Sequence, residues 1–399
     1  MIKKAEAVCR LLEIITAGKT EILEIQHCLN RVLAQDIFSK TDSPPFDASA
    51  MDGYAIKIRD RRKGHQLKVV GEVAAGSKSI KDVNAGEAVR IFTGAPLPKG
   101  AECIIIQEDV QTSGDFIKIK NKIENINFIR SKGSDFLINT KLPAATRLTP
   151  QTLSLIAAMN FDRISVYVKP RVALITSGDE LSEPGKILGE NQVVSSNSYG
   201  LSAMLESFGA APEIFPIVSD DISSICETLR TAMSFNLIIT VGGASVGKYD
   251  LIKSAGTKIG LKLLFDSVAM RPGKPLMGGL LRGTPLIALP GNPVSALICC
   301  QVIVQEVIRK MLGLKNADAK IDFGFLQTPL PPNGIREHYM RARTTNKSGQ
   351  IMIKGFNRQD SYLLRDLSAA NALLLRPAND RARGEGELVP YIPIMNYTD

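Results

Sequence analysis

Five carboxylates, Asp179, Glu180, Asp220, Asp221 and Asp250, fall in polar or glycine-rich stretches that each follow an apolar run. Hard oxygen ligands beside a phosphate pocket suit Mg²⁺, which keeps part of its shell for substrate and water. Any one of these acids alone is equally well read as a helix cap or a surface group. "GGASVG" (Gly242, Gly243, Ser245 and Gly247 among its residues) follows the apolar "NLIITV". Glycines there let backbone N–H groups approach a phosphate, and a helix start behind them favours the anion. By itself the same stretch is an ordinary tight strand-to-helix turn. "MRPGKPL" holds Arg271 and Lys274 apart on a rigid Pro-Gly turn, a spacing suited to an oxyanion or pyrophosphate, or else to a solvated basic turn. "PGNP" places Asn292 as a cap and Pro293 in a first helical turn.

Other chemistries fit less well. The three histidines, His27, His65 and His338, are widely scattered, which argues against a zinc site and a Ser–His or Cys–His triad. Gly242 to Lys248 nearly matches a phosphate-binding P-loop, but Tyr249 stands where the Mg²⁺-binding hydroxyl belongs. "SPPFDASAMDGYAI" (43–56) reads as an extended, stiff polyproline segment with Phe46 as a core anchor, ending in an Asp52-Gly53 turn that presents a carboxylate.

The elements needed to position these groups follow from the patterning. From 169 to 316, "RVALIT", "APEIFPIV", "NLIIT" and "TPLIAL" alternate with helical stretches, which predicts a doubly wound parallel sheet. In such sheets ligands bind beyond the carboxyl ends of the strands. "SGDE", "SDD", "GGASVG" and "PGNP" all fall at those ends, so four polar loops on one edge predict a pocket. Residues 46–135 and 317–399 show short apolar runs cut by Gly and Pro and read as β-domains. Residues 1–45 and 136–168 make a discontinuous mixed domain, with "TEILEIQHCLNRVLAQ" read as a helix and Thr149-Pro150 starting another. The fold class is therefore multidomain α/β plus β. The 399-residue chain has no secretory signal, its most apolar stretch carries two Gln and a Glu, and its six cysteines show no metal-ligand spacing. A cytoplasmic protein with buried thiols is expected, with no membrane span. The net charge of +9 has its densest cluster in the short "KIRDRRKGH", without interleaved aromatics, and so does not predict nucleic-acid binding.

Taken in order, "PPFDASAMDGYA", "FTGAPLPKGAECIIIQED", "TSGDEL", "SNSYGLSAML", "GGASVGKYD", "MRPGKP" and "LPGNPVSA" resemble the molybdopterin molybdenumtransferase family, MoeA in bacteria and the gephyrin E-domain in animals. The resemblance implies an elongated homodimer of four-domain subunits with shared active sites. It implies insertion of molybdate, as substrate, into adenylylated molybdopterin with Mg²⁺-dependent release of AMP. It also implies transient contact with other cofactor-biosynthesis proteins. Carried over by motif, Asp52, Thr93, Asp135, Glu180 and Asp250 are catalytic, and Glu180, Asp220 or Asp221, and Asp250 hold metal. Arg271, Lys274 and Arg341 are the cations, with Gly242, Gly243, Ser245, Gly247, Asn292, Pro290 and Pro293 shaping the substrate pocket. Ser134, Ser195 and Ser267 stand where the family commonly has charged residues. Two rivals remain: a pterin-binding assembly scaffold without turnover, and a P-loop-like phosphohydrolase.

Overall fold

The structure, a computed structural model, describes residues 1–77, 81–120, 127–242, 251–314 and 321–394. They gather into two compact units. Met1–Glu21, Asn30–Ala34 and Val166–Asp399 form the larger, and Ile22–Leu29 with Gln35–Ser165 the smaller.

In the larger unit, helix α1 (Lys4–Ile14) is followed by β1 (Arg171–Thr176), α2 (Asn197–Phe208), β2 (Ala211–Ile214), α3 (Ile222–Ala232) and β3 (Leu237–Val241). Then come α4 (Leu251–Lys258), β4 (Leu261–Phe265), β5 (Met277–Leu281), β6 (Thr284–Leu289) and α5 (Pro293–Cys299). The sheet order is β2-β1-β3-β6-β5-β4, and the first four strands are parallel. Val172, Leu174, Leu237 and Ile239 face a core shared with Leu201 and Leu205 of α2. Their neighbours Ala173, Ile175 and Ile238 face Ile225 and Leu229 of α3 and Ile252 of α4. A sheet covered on both faces needs strands that are apolar throughout, which is why "VALI" and "LII" lack alternation. The far edge departs from the expected parallel order. Only Arg282 and Gly283 join β5 to β6, too short a link for a crossover, so that pair is an antiparallel hairpin.

α1, expected to sit with residues 136–168, buries Ala7, Val8 and Leu11 in the same core as Ile287, Val304 and Ile308. The expected helix from 20 does not form. Thr20–Glu24 is a strand and Ile25–His27 a single 3₁₀ turn. Its apolar residues share no face, since Ile22 is 70% and Leu29 50% exposed while Cys28 and Val32 are buried. Val32 O instead accepts from Tyr167 N, and Leu33 bridges Val166, which keeps 32–33 extended.

At the C-terminal end, strands Glu337–Lys347, Gln350–Gly355, Asp322–Leu326, Leu388–Pro393 and Ala372–Arg376 pair in that order. The last returns to the first, closing a barrel around Leu326, Ala342, Ile353 and Leu374. Met270–Arg271 adds to this barrel in parallel with Glu337 and His338.

The smaller unit contains a six-stranded sheet in the order Cys103–Ile106, Gly53–Ile56, Glu87–Ile91, Gln66–Val73, Phe116–Ile119, Val110–Ser113. Apolar clusters cover it, one around Ile56, Leu67 and Ile105, the other around Val73, Val89 and Ile104. Its helix Pro150–Ala158 starts as the sequence predicts, with Thr149 Oγ1 accepting from Thr152 N. Among the described residues no helix is long and apolar enough to cross a membrane.

Candidate active site

The chain runs from β1 outward to β2 and then back past β1 to β3, so the sheet reverses direction between β1 and β3. A crevice opens at such a reversal beyond the strand ends. The two loops there touch: Ser177 N donates to Val241 O, and a Cβ on Gly242 would lie 2.5 Å from Ser177 O. Gly242 also has φ +91°, so this position tolerates no other residue without strain. The remainder of the glycine loop, including Gly243, Ser245, Gly247 and Asp250, lies outside the described residues.

Around this crevice the structure adds residues that sequence patterning passed over. Ser195 Oγ, Asn197 Oδ1 and Thr240 Oγ1 are buried with no hydrogen-bond partner among the described residues. Ser177 Oγ also lacks one of ordinary geometry, although it favours the ionised form of the neighbouring Asp220. Each unsatisfied buried polar atom costs about 1–3 kcal/mol, so Ser195 Oγ and Asn197 Oδ1, both at the start of α2, mark a place that a ligand or water is built to complete. Asn197 Nδ2 donates to Gly291 O at 2.8 Å, tying the start of α2 to the "PGNP" loop. Hydroxyls at strand ends are the only trace of these groups in the sequence, and buried Thr is common in strands for packing reasons alone.

The adjacent acids Asp220 and Asp221 separate into two roles. Asp221 Oδ1 accepts from Ser223 N and Ser224 N, both at 2.9 Å, and caps α3. The Ser224 hydroxyl first, and then those backbone bonds, hold its carboxyl below the ordinary range. Asp220 goes the other way: partial burial, then the negative charges of Asp179 and Glu180, raise its pKa. Its backbone N donates to Asp179 Oδ1 at 3.1 Å, which ties the "SGDE" and "SDD" loops together. Asp221 thus leaves the expected ligand set because its carboxylate already serves the helix. Among the described residues no three His, Cys, Asp or Glu side chains are arranged to hold a metal ion.

Arg271 and Lys274 are exposed, and neither side chain has a hydrogen-bond or ion-pair partner among the described residues. Their turn is seated by Gly273, φ +109°, where a Cβ would lie 2.3 Å from Cys299 Sγ of α5. Behind it in the barrel, His338 pairs with Arg271 in the ladder. Burial and the surrounding arginines, Arg271 first, push His338 down to about 4, so the ring is neutral at physiological pH. Pro290 is buried at the end of β6, and Asn292 occupies the cap position of α5 without the expected side-chain cap bond.

Arg341 differs from the expectation of a substrate-facing cation. It is 1% exposed, and its guanidinium donates to Gln359 Oε1 and to the carbonyls of Arg358, Asp360 and Leu363. A guanidinium so committed holds a loop in place. Ser361 O of that loop accepts from Val294 N in the first turn of α5, so Arg341 acts on the crevice through backbone.

In the smaller unit, Thr93 N and Oγ1 both donate to Asp52 Oδ1, at 2.7 and 2.9 Å. With Arg90 nearby, these bonds hold the Asp52 carboxyl below its ordinary range. The 43–56 segment is bound on two sides: Ser43 N to Phe136 O, Gly133 N to Pro44 O, Lys132 N to Asp47 Oδ1, and Gly94 N to Ser49 O. Asp135 N donates to Ser43 O, and its exposed carboxylate receives a long 3.5 Å bond from Ser43 Oγ. The chain bends over 44–46, with a cis Ser43–Pro44 peptide, where a polyproline run was expected. Phe46 is 43% exposed and anchors no core, because backbone hydrogen bonds hold the segment instead.

Comparison with known proteins covers nearly the whole chain. Residues 2–160 match the MoeA N-terminal region (domain I and II), 173–310 a probable molybdopterin binding domain, and 324–394 the MoeA C-terminal region (domain IV). A molybdopterin molybdenumtransferase from Nostoc sp. is 33% identical, over 94% of this chain and 89% of the relative. One from Haemophilus influenzae is 32% identical over 94% of each. The crystal structure of a molybdopterin biosynthesis moeA protein from Pyrococcus horikoshii aligns with TM-score 0.84 at 28% identity, covering 99% of this chain and 100% of that one.

Proposed function

The chain belongs to the molybdopterin molybdenumtransferase (MoeA) family and is a molybdenum transferase of molybdenum cofactor biosynthesis; from that premise we propose that it inserts molybdate into adenylylated molybdopterin and releases AMP. The carrying observation is the crevice at the β1/β3 reversal, where Ser195 Oγ and Asn197 Oδ1 at the start of α2 have no partner among the described residues and Asp220 lies near the charges of Asp179 and Glu180. A polar, phosphate-bearing ligand completes such a lining, in a pterin-binding scaffold as in the transferase, and release of AMP separates the two.

The raised proton affinity of Asp220 supports a divalent cation, since Mg²⁺ relieves the repulsion among Asp220, Asp179 and Glu180. Glu180, Asp220 and Asp250 are the proposed ligands, and the ion would stabilise negative charge on the departing phosphate. Arg271 and Lys274, whose side chains have no partner among the described residues, hold the phosphates and the incoming molybdate. Gly242 with Gly243, Ser245 and Gly247 belongs to the substrate pocket as a phosphate-approaching loop, and Pro290 and Pro293 shape the wall.

Asp52, Thr93 and Asp135 enter as a second contribution: in a homodimer, these groups of one subunit complete the crevice of the other. The Thr93 bonds keep Asp52 ionised and aimed, which supports a preset acid. The partition into 1–45 with 136–168, 46–135, 169–316 and 317–399 is proposed as the domain plan, with α1 of the first segment packed on the core of the 169–316 domain. Function in the cytoplasm, with transient hand-over to other cofactor-biosynthesis proteins, completes the reading. The test is AMP release from adenylylated molybdopterin, with and without molybdate and Mg²⁺. Release that needs both is the expected result. ATP hydrolysis without pterin would favour a phosphohydrolase, and pterin binding with no AMP released would favour the scaffold.

A further inference from the structure

The same sheet has a second edge. At the amino ends of β1, β3 and β6, away from the crevice, lies a cavity of about 410 Å³, within the range of small-molecule sites. Phe235, Pro285, Met311 and Ile15 give it apolar walls, and Lys19, Lys169 and Arg171 line it with positive charge. Among the described residues no carboxylate lines it. The Arg171 guanidinium lies 4.2 Å over the Phe235 ring, which fixes a cation against an aromatic face. Its outer nitrogen meets Glu213 at 3.3 Å, an exposed pair of little worth. Neither lysine ammonium has a hydrogen-bond or ion-pair partner among the described residues. Asn236 Oδ1 accepts from Arg171 N at 2.8 Å, which orients the amide, and its Nδ2 donor has no partner among the described residues.

Three cations, one spare amide donor and an aromatic wall in a single cavity define a ligand. We propose that this cavity binds a small organic anion with a flat apolar body, such as an aromatic carboxylate or sulfonate. The flat body stacks on the Arg171 guanidinium, which covers the Phe235 face, beside Pro285, and the acid group meets the lysines and Asn236. Because the cavity joins the end of α1, Met311 and three strand starts, its occupant binds the folded chain only, and occupancy appears as a raised melting temperature.

The probe is 2-naphthalenesulfonate, titrated by calorimetry and by thermal shift on the full chain, with uncharged 2-naphthol beside it. One saturable site is expected, with at least tenfold preference for the sulfonate. The double variant Lys19→Glu with Lys169→Glu should weaken binding by about tenfold or more, two charge reversals at close range being involved. Arg271→Glu with Lys274→Glu, at the opposite edge, should leave it unchanged. Equal binding of naphthol, indifference to the first double variant, or loss in the second would each overturn the proposal. If the double variant lacks a cooperative melt, Lys169→Ala alone is read instead. A weakening of about threefold then supports the site, and unchanged affinity refutes it.

Discussion

At the crevice of the larger unit, buried polar atoms have no partners among the described residues and neighbouring carboxylates repel one another. In the Asp52 segment of the smaller unit the reverse holds: the carboxylate is doubly hydrogen-bonded and the backbone around it is bound on both sides. The first region is incomplete by itself and is stabilised by what enters it. The second is complete and delivers one acid in a fixed attitude. A binding site therefore shows as unmet polar demand, whereas a positioning device shows as demand fully met.

That contrast can be broken most sharply at Asp220. Asp220→Asn keeps the shape and removes the charge that the crevice has to accommodate, and turnover should fall by about 10³-fold. Asp221→Asn, one residue on, should leave turnover within a few fold, because its carboxylate serves the helix. Equal losses in a steady-state AMP assay would erase the distinction between the two acids. Next in size is Lys274→Ala, which loses one charge-assisted contact worth about 1.5–3 kcal/mol, some ten- to hundredfold in affinity for the adenylylated pterin. Unchanged affinity by titration would remove Lys274 from the crevice.

Smaller in amplitude is a complementation experiment. Asp52→Ala and Asp250→Ala chains, each inactive, are mixed in equal amounts and allowed to exchange. If one subunit supplies the preset acid to the other, half the dimers carry one intact site, and about a quarter of wild-type activity returns. Confirmed mixed dimers that stay inactive would confine each site to one chain.

The smallest effect is on stability, measured in EDTA across pH. The folded pKa of Asp220 lies above its unfolded value, so the folded state holds the proton more tightly. Stability is therefore lost as pH rises through that window, and Asp220→Asn should be slightly more stable than wild type at neutral pH and equal to it in acid. Asp221, with a depressed pKa, contributes stability above its unfolded value that disappears as pH falls through the folded one. Asp221→Asn should melt a few degrees lower at neutral pH, a difference that closes in acid. Shifts of the same sign in both variants would contradict the assignment.

Much of this was legible in the residues. Gly and Pro after each apolar run mark where the strands stop, and continuous apolar strands announce a sheet covered on both faces. What escaped depends on partners distant in the chain. Asp220 and Asp221 are indistinguishable until the start of α3 selects one as its cap. Arg341 reads as a free cation until the 358–363 loop folds over it and takes its donors. "TEILEIQHCLNRVLAQ" has helix-like spacing, yet Tyr167 and Val166 hold 32–33 extended, and tertiary pairing overrides local propensity.

The parallel addition of Met270–Arg271 to the strand Glu337–Lys347 bears on how such chains can be recombined. A hybrid cut near residue 317 would take its barrel from one parent and the Arg271–Lys274 turn from another, so the ladder edge carrying both cations would have mismatched halves. Glu337 N donates to Ala269 O, so the junction is backbone as well as side chain. The unit of inheritance is therefore the barrel together with 269–276, a block discontinuous in the gene, and exchanges that respect only chain order should yield folded proteins with a misplaced pair of charges.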